Sequence, residues 1–157
     1  GAHIINDMSS SLGQVAGELR CGYVAAHMLE TPATMQHNPT YDDVVVDIIN
    51  EVSAAGQAAL DAGASQVWID PGIGFGKSYE HNLELLRSLG DLQKSRPLLL
   101  GVSRKSVIGK LTGEEDPLQR DRATAVMTAL ALKRGISIHR VHDVKGAVEA
   151  VLIAQSL

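Results

Sequence analysis

Side chains able to do acid–base or anion chemistry gather in four short stretches: Asn6-Asp7, Asp70 at the head of a glycine-rich run, Ser103-Arg104-Lys105-Ser106, and Arg140-Val141-His142-Asp143. The glycine-rich run, IDPGIGFGKS from Ile69 to Ser78, has the entering strand and the Gly-Lys-Ser ending of a phosphate-binding loop. The glycine that such a loop needs five residues before Gly76 is Pro71, so the pattern is broken. Asp70 stands out among the carboxylates because Pro71 forces a tight departure and the following glycines leave it unscreened. SRKS by itself reads as an N-cap, Ser103, followed by a solvated basic pair; at a helix start beside other polar groups it becomes an anion site. Alternation along an extended chain puts Arg140 and His142 on one face, two groups that can hold an anion together. Asp7, Asp43 and Asp143 read instead as caps or turn residues. His27, His37 and His81 lack metal-ligand spacing, and His142 taken alone would be structural.

Five short apolar runs precede or contain these residues: His3 to Asn6, Tyr23 to Met28, Gln66 to Asp70, Pro97 to Ser103 and Ile138 to Asp143. Their Val, Ile and Leu content with little alternation is that of strands covered on both faces in a parallel sheet. Helical stretches are predicted near 11–20, 42–63, 81–93, 120–135 and 144–157. The clearest begins at the acidic pair Asp42-Asp43 and is closed by Gly63. Five βα units with right-handed crossovers give an α/β fold, either a complete flavodoxin-like sheet or five-eighths of a (β/α)8 barrel. In both, strand ends deliver their polar residues to one rim.

Composition narrows the function classes. A chain of 157 residues with 45% hydrophobic content reads as one soluble globular unit, a single domain over 1–157. A formal net charge of -4 without a basic block excludes a dedicated nucleic-acid binder, and aromatics at 3% supply little base-stacking surface. The single Cys21 cannot form an internal disulfide and reads as a small buried hydrophobe; no apolar run of about 18 residues suggests a membrane span. The expected setting is cytoplasmic. Strand material directly at GAHIIND suggests an N-terminally truncated piece.

The ordered set IIND, HM, TPATMQ, DPGIGFGK, GVSRKSVIG and RVHDV resembles the strand-end motifs of the dihydropteroate synthases over essentially the whole chain. The resemblance implies a TIM (β/α)8 barrel of the pterin-binding type, present here as a partial barrel holding units four to eight. It implies a transferase of folate biosynthesis that condenses 4-aminobenzoate with (7,8-dihydropterin-6-yl)methyl diphosphate, giving 7,8-dihydropteroate and pyrophosphate. Asn6 and Asp70 would hydrogen-bond the pterin. Lys105 would reach its carbonyl and ring nitrogen, and the Arg140 guanidinium would lie over its face. Arg140 and His142 would hold the departing pyrophosphate, while Phe75 and Ser106 would belong to the aminobenzoate pocket.

Asp70, Lys105, Arg140 and His142 thus form the implied catalytic set. The chemistry is an ionisation-like substitution at the pterin methylene carbon, without a covalent nucleophile, assisted by Mg²⁺ whose ligand is expected outside this chain. Lys77 and Ser78 become ordinary loop and helix-start residues. A homodimer is implied, with no nucleic-acid or membrane partner. Ala26-His27-Met28-Leu29-Glu30 replaces the Met-His-Met-Gln-Gly common in the family, which changes the pocket there. The isolated chain is expected to have little or no activity. The competing readings are a pterin-binding barrel of a corrinoid-linked methyltransferase, which would not need SRKS and RVHD, and a non-catalytic truncated barrel that self-associates through its edges.

Overall fold

The computed structural model describes residues 1–29, 33–35 and 39–157. Glu30, His37 and three residues of the TPATMQ stretch, Thr31, Pro32 and Gln36, lie outside the described residues. The elements follow in the order β1 (Ile4–Asp7), α1 (Gly13–Glu18), β2 (Gly22–Ala26), α2 (Val44–Asp61), β3 (Gln66–Asp70), α3 (Tyr79–Arg87), α4 (Leu89–Ser95), β4 (Leu99–Leu100), α5 (Ser106–Thr112), a 3-10 turn (Pro117–Arg120), α6 (Asp121–Leu132), β5 (Ile138–His139) and α7 (Val144–Ser156).

All strand pairs are parallel and adjacent in sequence: β1 with β2, β2 with β3, and β4 with β5, while a bridge between Ile69 and Leu98 joins β3 to β4. This order, 1-2-3-4-5, excludes the flavodoxin-like alternative, in which the first strand would lie inside the sheet. The sheet is also strongly curved. Laid flat, β1 and β5 would stand about 19 Å apart, four spacings of about 4.8 Å. Yet Arg140, just after β5, donates directly to Asn6 in β1 at 2.7 Å. Only a sheet curled toward closure brings these ends within one side chain of each other.

The helices form as their sequences require. Asp43 caps α2 by accepting from the Val45 and Val46 N–H groups, and Val44, Ile48, Val52, Gly56 and Ala59 make its buried stripe. Gly63 follows the end of α2 with φ 107°, as expected of a closing glycine. Ser78 starts α3 in a reciprocal capping box with His81, and Asp143 caps α7 through the Gly146 N–H. The helices pack side by side along the layer, α1 on α2, α2 on α3 and α4, α3 on α4 and α5, α5 on α6, and α6 on α7. The main core lies between this layer and β3–β4, with Ile48, Ile69, Ile73, Leu85, Leu89, Leu98 and Leu100 sealed from solvent. At about 1.5–3 kcal/mol for each fully buried large aliphatic, that cluster dominates the favourable side of folding. A smaller cluster around Ala16, Tyr23 and Ala59 fixes α1 against β2.

Three expectations need correction. The predicted helix 81–93 is two helices, because Ser88 departs from helical geometry and receives the chain end of α3 before α4 begins. The runs 97–103 and 138–143 contribute only two ladder residues each. Beyond them the backbone turns away to build the rim. Ser103 is not an N-cap: α5 starts at Ser106, with Lys105 in the cap position and no side-chain cap bond.

Candidate active site

Strand C-termini bring Asn6, Asp70, Lys105 and Arg140 to one rim. The Arg140 backbone continues the β4–β5 ladder by donating to the Leu100 carbonyl at 2.9 Å, and this fixes the root of its side chain. Its guanidinium then forks, donating to Asn6 Oδ1 at 2.7 Å and to Asp70 Oδ2 at 2.8 Å. The fork crosses Gly101, where a Cβ would push the guanidinium off this position. Asp70 is 0% exposed while Arg140 is 38% exposed, a buried acceptor beneath a cation still in touch with water. The second carboxylate oxygen of Asp70 accepts the Gly72 N–H at 2.8 Å. That bond needs Gly72 at φ 65°, with its α-carbon so close to the His27 carbonyl that a Cβ would collide.

Lys105 enters from the start of α5. Its ammonium donates to the Ile73 carbonyl and sits 4.5 Å from the centroid of the Phe75 ring. Burial pushes its pKa down to about 8, only partly offset by the nearby Asp70 carboxylate, and the Arg140 charge pushes the same way as burial. Lys105 keeps its aim because Arg104 is held on several sides. Arg104 has a left-handed φ of 60°, pairs through Nε and Nη2 with both Asp121 oxygens at 2.8 and 2.6 Å, and gives its carbonyl to Arg120 at 2.9 Å. This turn separates Ser103 from the helix and is the physical reason that Ser103 does not cap it.

Ser103 Oγ instead lies 2.9 Å from His142 Nδ1 and accepts the His142 backbone N–H at 3.2 Å. Either the hydroxyl or Nδ1–H can donate in this pair, and the two contacts to Ser103 fix the orientation of the imidazole. Arg140 and His142 therefore share the rim but engage different partners. Ser106, the first residue of α5, lines a cavity of about 230 Å³ with Lys77, Ser78, Asn82 and Lys110. Asp7 is structural, as read: it accepts from Ser9, from the Leu12 N–H and from the Tyr23 hydroxyl. Burial works to raise its pKa, but these bonds prevail and the net shift is downward.

Lys77 corrects the sequence reading. It is 4% exposed, not an ordinary loop residue, and its ammonium lies 2.8 Å from His27 Nδ1 and 2.9 Å from the Phe75 carbonyl. Burial pushes its pKa down to about 7, with Asp70 pulling upward. His27 is pushed down to about 3 by burial and then by Lys77, so it is a neutral imidazole at ordinary pH. Sequence reasoning also missed Asn82, which accepts the Gly74 N–H at 2.7 Å, and the Arg104–Asp121 pair. The left-handed Arg104 carries no local sequence signal, whereas Asn82 one turn after Ser78 could have been read as a loop clamp.

The rim thus offers a buried carboxylate and an amide oxygen as acceptors, two cations beside them, and an imidazole. It suits a flat heterocycle rich in N–H groups that carries an anionic substituent. A sequence profile of the family described as "Pterin binding enzyme" matches residues 1–142. The chain belongs to this family. It is similar to the dihydropteroate synthase of Streptococcus pyogenes, at 41% identity over all of this chain and 60% of the relative. It is likewise similar to that of Neisseria meningitidis serogroup C, at 39% identity over all of this chain and 59% of the relative. The chain thus spans about 60% of the length of these curated relatives. Among solved structures, the dihydropteroate synthase of Thermus thermophilus in complex with 6HMPPP superposes with a TM-score of 0.95 at 39% identity. The match covers all of this chain and 65% of that one. The same enzyme in complex with 4-aminobenzoate also superposes at 0.95, with 66% of its chain covered. No described helix is long and apolar enough to cross a membrane.

Proposed function

We propose that the chain carries the pterin, pyrophosphate and part of the aminobenzoate determinants of a dihydropteroate synthase, as units four to eight of an eight-unit barrel. The observation that carries this reading is the convergence of Asn6, Asp70 and Arg140 from three strand ends on one rim, at 2.7 and 2.8 Å. The pterin amino and ring N–H groups donate to Asp70 and Asn6, in exchange for the guanidinium that those acceptors hold without substrate. Released in this way, Arg140 is free to lie over the pterin face and hold the diphosphate together with the His142 imidazole. Lys105 donates to the pterin carbonyl and ring nitrogen. As the methylene carbon–oxygen bond breaks, Arg140 and His142 stabilise the charge building on pyrophosphate. The cation left on the pterin is attacked by the neutral amine of 4-aminobenzoate, whose nitrogen forms the new carbon–nitrogen bond and then releases one proton to solvent; its ring rests on Phe75 and its carboxylate faces Ser106 at the start of α5.

Mg²⁺, when bound, would neutralise the diphosphate. Among the described residues no group of three or more His, Cys, Asp or Glu side chains could hold a metal ion, so no step here passes through it. The reading makes the protein a cytoplasmic transferase. Its homodimer contact would use the groove between α6 and α7, where Val126 and Ile153 stand exposed. The Ser103–His142 pair favours this reading over a pterin-dependent methyltransferase, which has no pyrophosphate to hold.

Calorimetric titration of a pterin diphosphate analogue into the chain tests the proposal, with Asp70→Ala as control. Saturable binding that the substitution abolishes is the expected result. Equal binding by both chains would refute the assignment of the site.

A further inference from the structure

The glycine-rich loop after β3 has its carbonyls captured one after another. Gly72 O accepts the Phe75 N–H at 3.0 Å, Ile73 O accepts from Lys105, Phe75 O accepts from Lys77 at 2.9 Å, and Gly76 O accepts the Tyr41 hydroxyl at 2.7 Å. Asn82 holds the Gly74 N–H. In this set Lys77 differs because it belongs to the loop itself and ties it both to its own backbone and to the chain beyond β2. Its ammonium also lies against His27 Nδ1 just beyond β2, and His27 N–H donates to the Asp70 carbonyl at 3.0 Å. On its far side the His27 ring has Nε2 3.5 Å from Glu51 in α2 and packs against Tyr41 at 5.8 Å between centroids. A line of polar groups therefore runs from Phe75 through Lys77 and His27 to Glu51, passing directly behind Asp70.

This arrangement is costly if it only fills space. A buried ammonium loses hydration that a leucine or methionine in the same volume would not need. What it provides is geometric: three ammonium donors, of which one fixes the Phe75 carbonyl and another lies against His27 beyond β2, whose own backbone N–H holds the Asp70 carbonyl. We propose that Lys77, held between His27 Nδ1 and the Phe75 carbonyl, is a positioning residue that sets the Phe75 ring relative to Asp70 and Lys105. Lys77 acts through Phe75, its ammonium being committed to His27 Nδ1 and the Phe75 carbonyl. The consequence for substrate rests on the reading of Phe75 as the aminobenzoate wall; the positioning itself does not.

Phe75 is the single phenylalanine and Trp68 the single tryptophan of the chain, so each can be watched alone. The chain labelled with 4-fluorophenylalanine gives one fluorine resonance, and Trp68 emission reports whether β3 remains folded. Lys77→Met, which keeps length and removes the donors, displaces that resonance by more than its linewidth, and His27→Leu does the same from the other side. Lys77→Arg restores the parent position. Trp68 emission stays at the parent wavelength throughout. A parent-like resonance in Lys77→Met would overturn the proposal, and so would a displacement accompanied by a red shift of Trp68 emission, which reports unfolding. Adding 4-aminobenzoate with a pterin diphosphate analogue moves the parent resonance if Phe75 lines the site. If it does not, the substrate reading fails, while the comparison of the variants still decides the role of Lys77.

Discussion

Lys77 makes a sharp thermodynamic prediction because it is an ammonium that folding removes almost wholly from water. Its pKa is pushed from 10.5 down to about 7 in the folded chain. Below pH 7 both folded and unfolded states carry the proton, and the folded state bears the full cost of the buried charge. Between pH 7 and 10.5 the unfolded state binds more protons, so stability rises with pH across that window. Each unit of separation is worth about 1.4 kcal/mol, which sets a ceiling of roughly 4 kcal/mol between pH 7 and 10. Local relaxation around a buried ammonium makes about 2 kcal/mol the working figure. Lys105 titrates from about 8 in the same direction, and Tyr41, pushed up to about 12 by burial, acts oppositely at the alkaline end. The quantity to measure is therefore the difference between the parent chain and Lys77→Met. Urea unfolding of both at pH 7, 8, 9 and 10 should show the parent gaining about 2 kcal/mol on the variant. A difference that stays flat with pH would mean that Lys77 is not buried as an ammonium, and would refute the electrostatic account of the loop.

The other predictions are more direct. Because His27 is held near 3, the unfolded chain takes up a proton at this residue between pH 6.5 and 3 that the folded chain refuses. Stability falls through that window, and His27→Gln flattens the acid limb of the urea midpoint. Arg140→Ala removes charge-assisted donors worth about 1.5–3 kcal/mol each, so calorimetry should show at least about tenfold weaker binding of a pterin diphosphate. A pterin alcohol without phosphates should lose much less, and equal losses would count against a diphosphate role. Gly72→Ala combines left-handed backbone strain of about 1–2 kcal/mol with a collision against the His27 carbonyl. Urea unfolding should register a loss above about 2 kcal/mol, and one near zero would contradict the loop geometry. If the groove between α6 and α7 forms a homodimer, Ile153→Glu yields a monomer in analytical ultracentrifugation at concentrations where the parent sediments as a dimer.

Asp70, Lys105 and Arg140 are legible in the sequence because their positions depend on local events. A strand ends, a proline or glycine turns the chain, and a parallel array sends every such end to the same rim. The span Gln66–Asp70 reads with its true limits, since an apolar run bounded by Pro71 leaves little freedom. What the sequence hides depends on partners far along the chain. Lys77 is buried because three glycines with positive φ fold its loop inward onto His27, fifty residues earlier. Ser103 reads as a cap because its actual partner, His142, lies thirty-nine residues away. The shortness of β4 and β5 is likewise hidden: Leu98 to Val102 is apolar because it is core, and core residues need not be ladder residues.

The bond between Arg140 and Asn6 joins residues 134 positions apart. A contact of that separation is among the last to form as a chain folds, since every intervening βα unit must dock before the two ends can meet. The binding rim is thus absent from any partly folded species that lacks either the first or the last strand. On the proposed reading, a pterin would recognise only the completed arc, and its binding free energy would stabilise the whole arc and none of its intermediates. Ligand capture would then serve as a timer for folding, its appearance after dilution from denaturant marking the closing step itself.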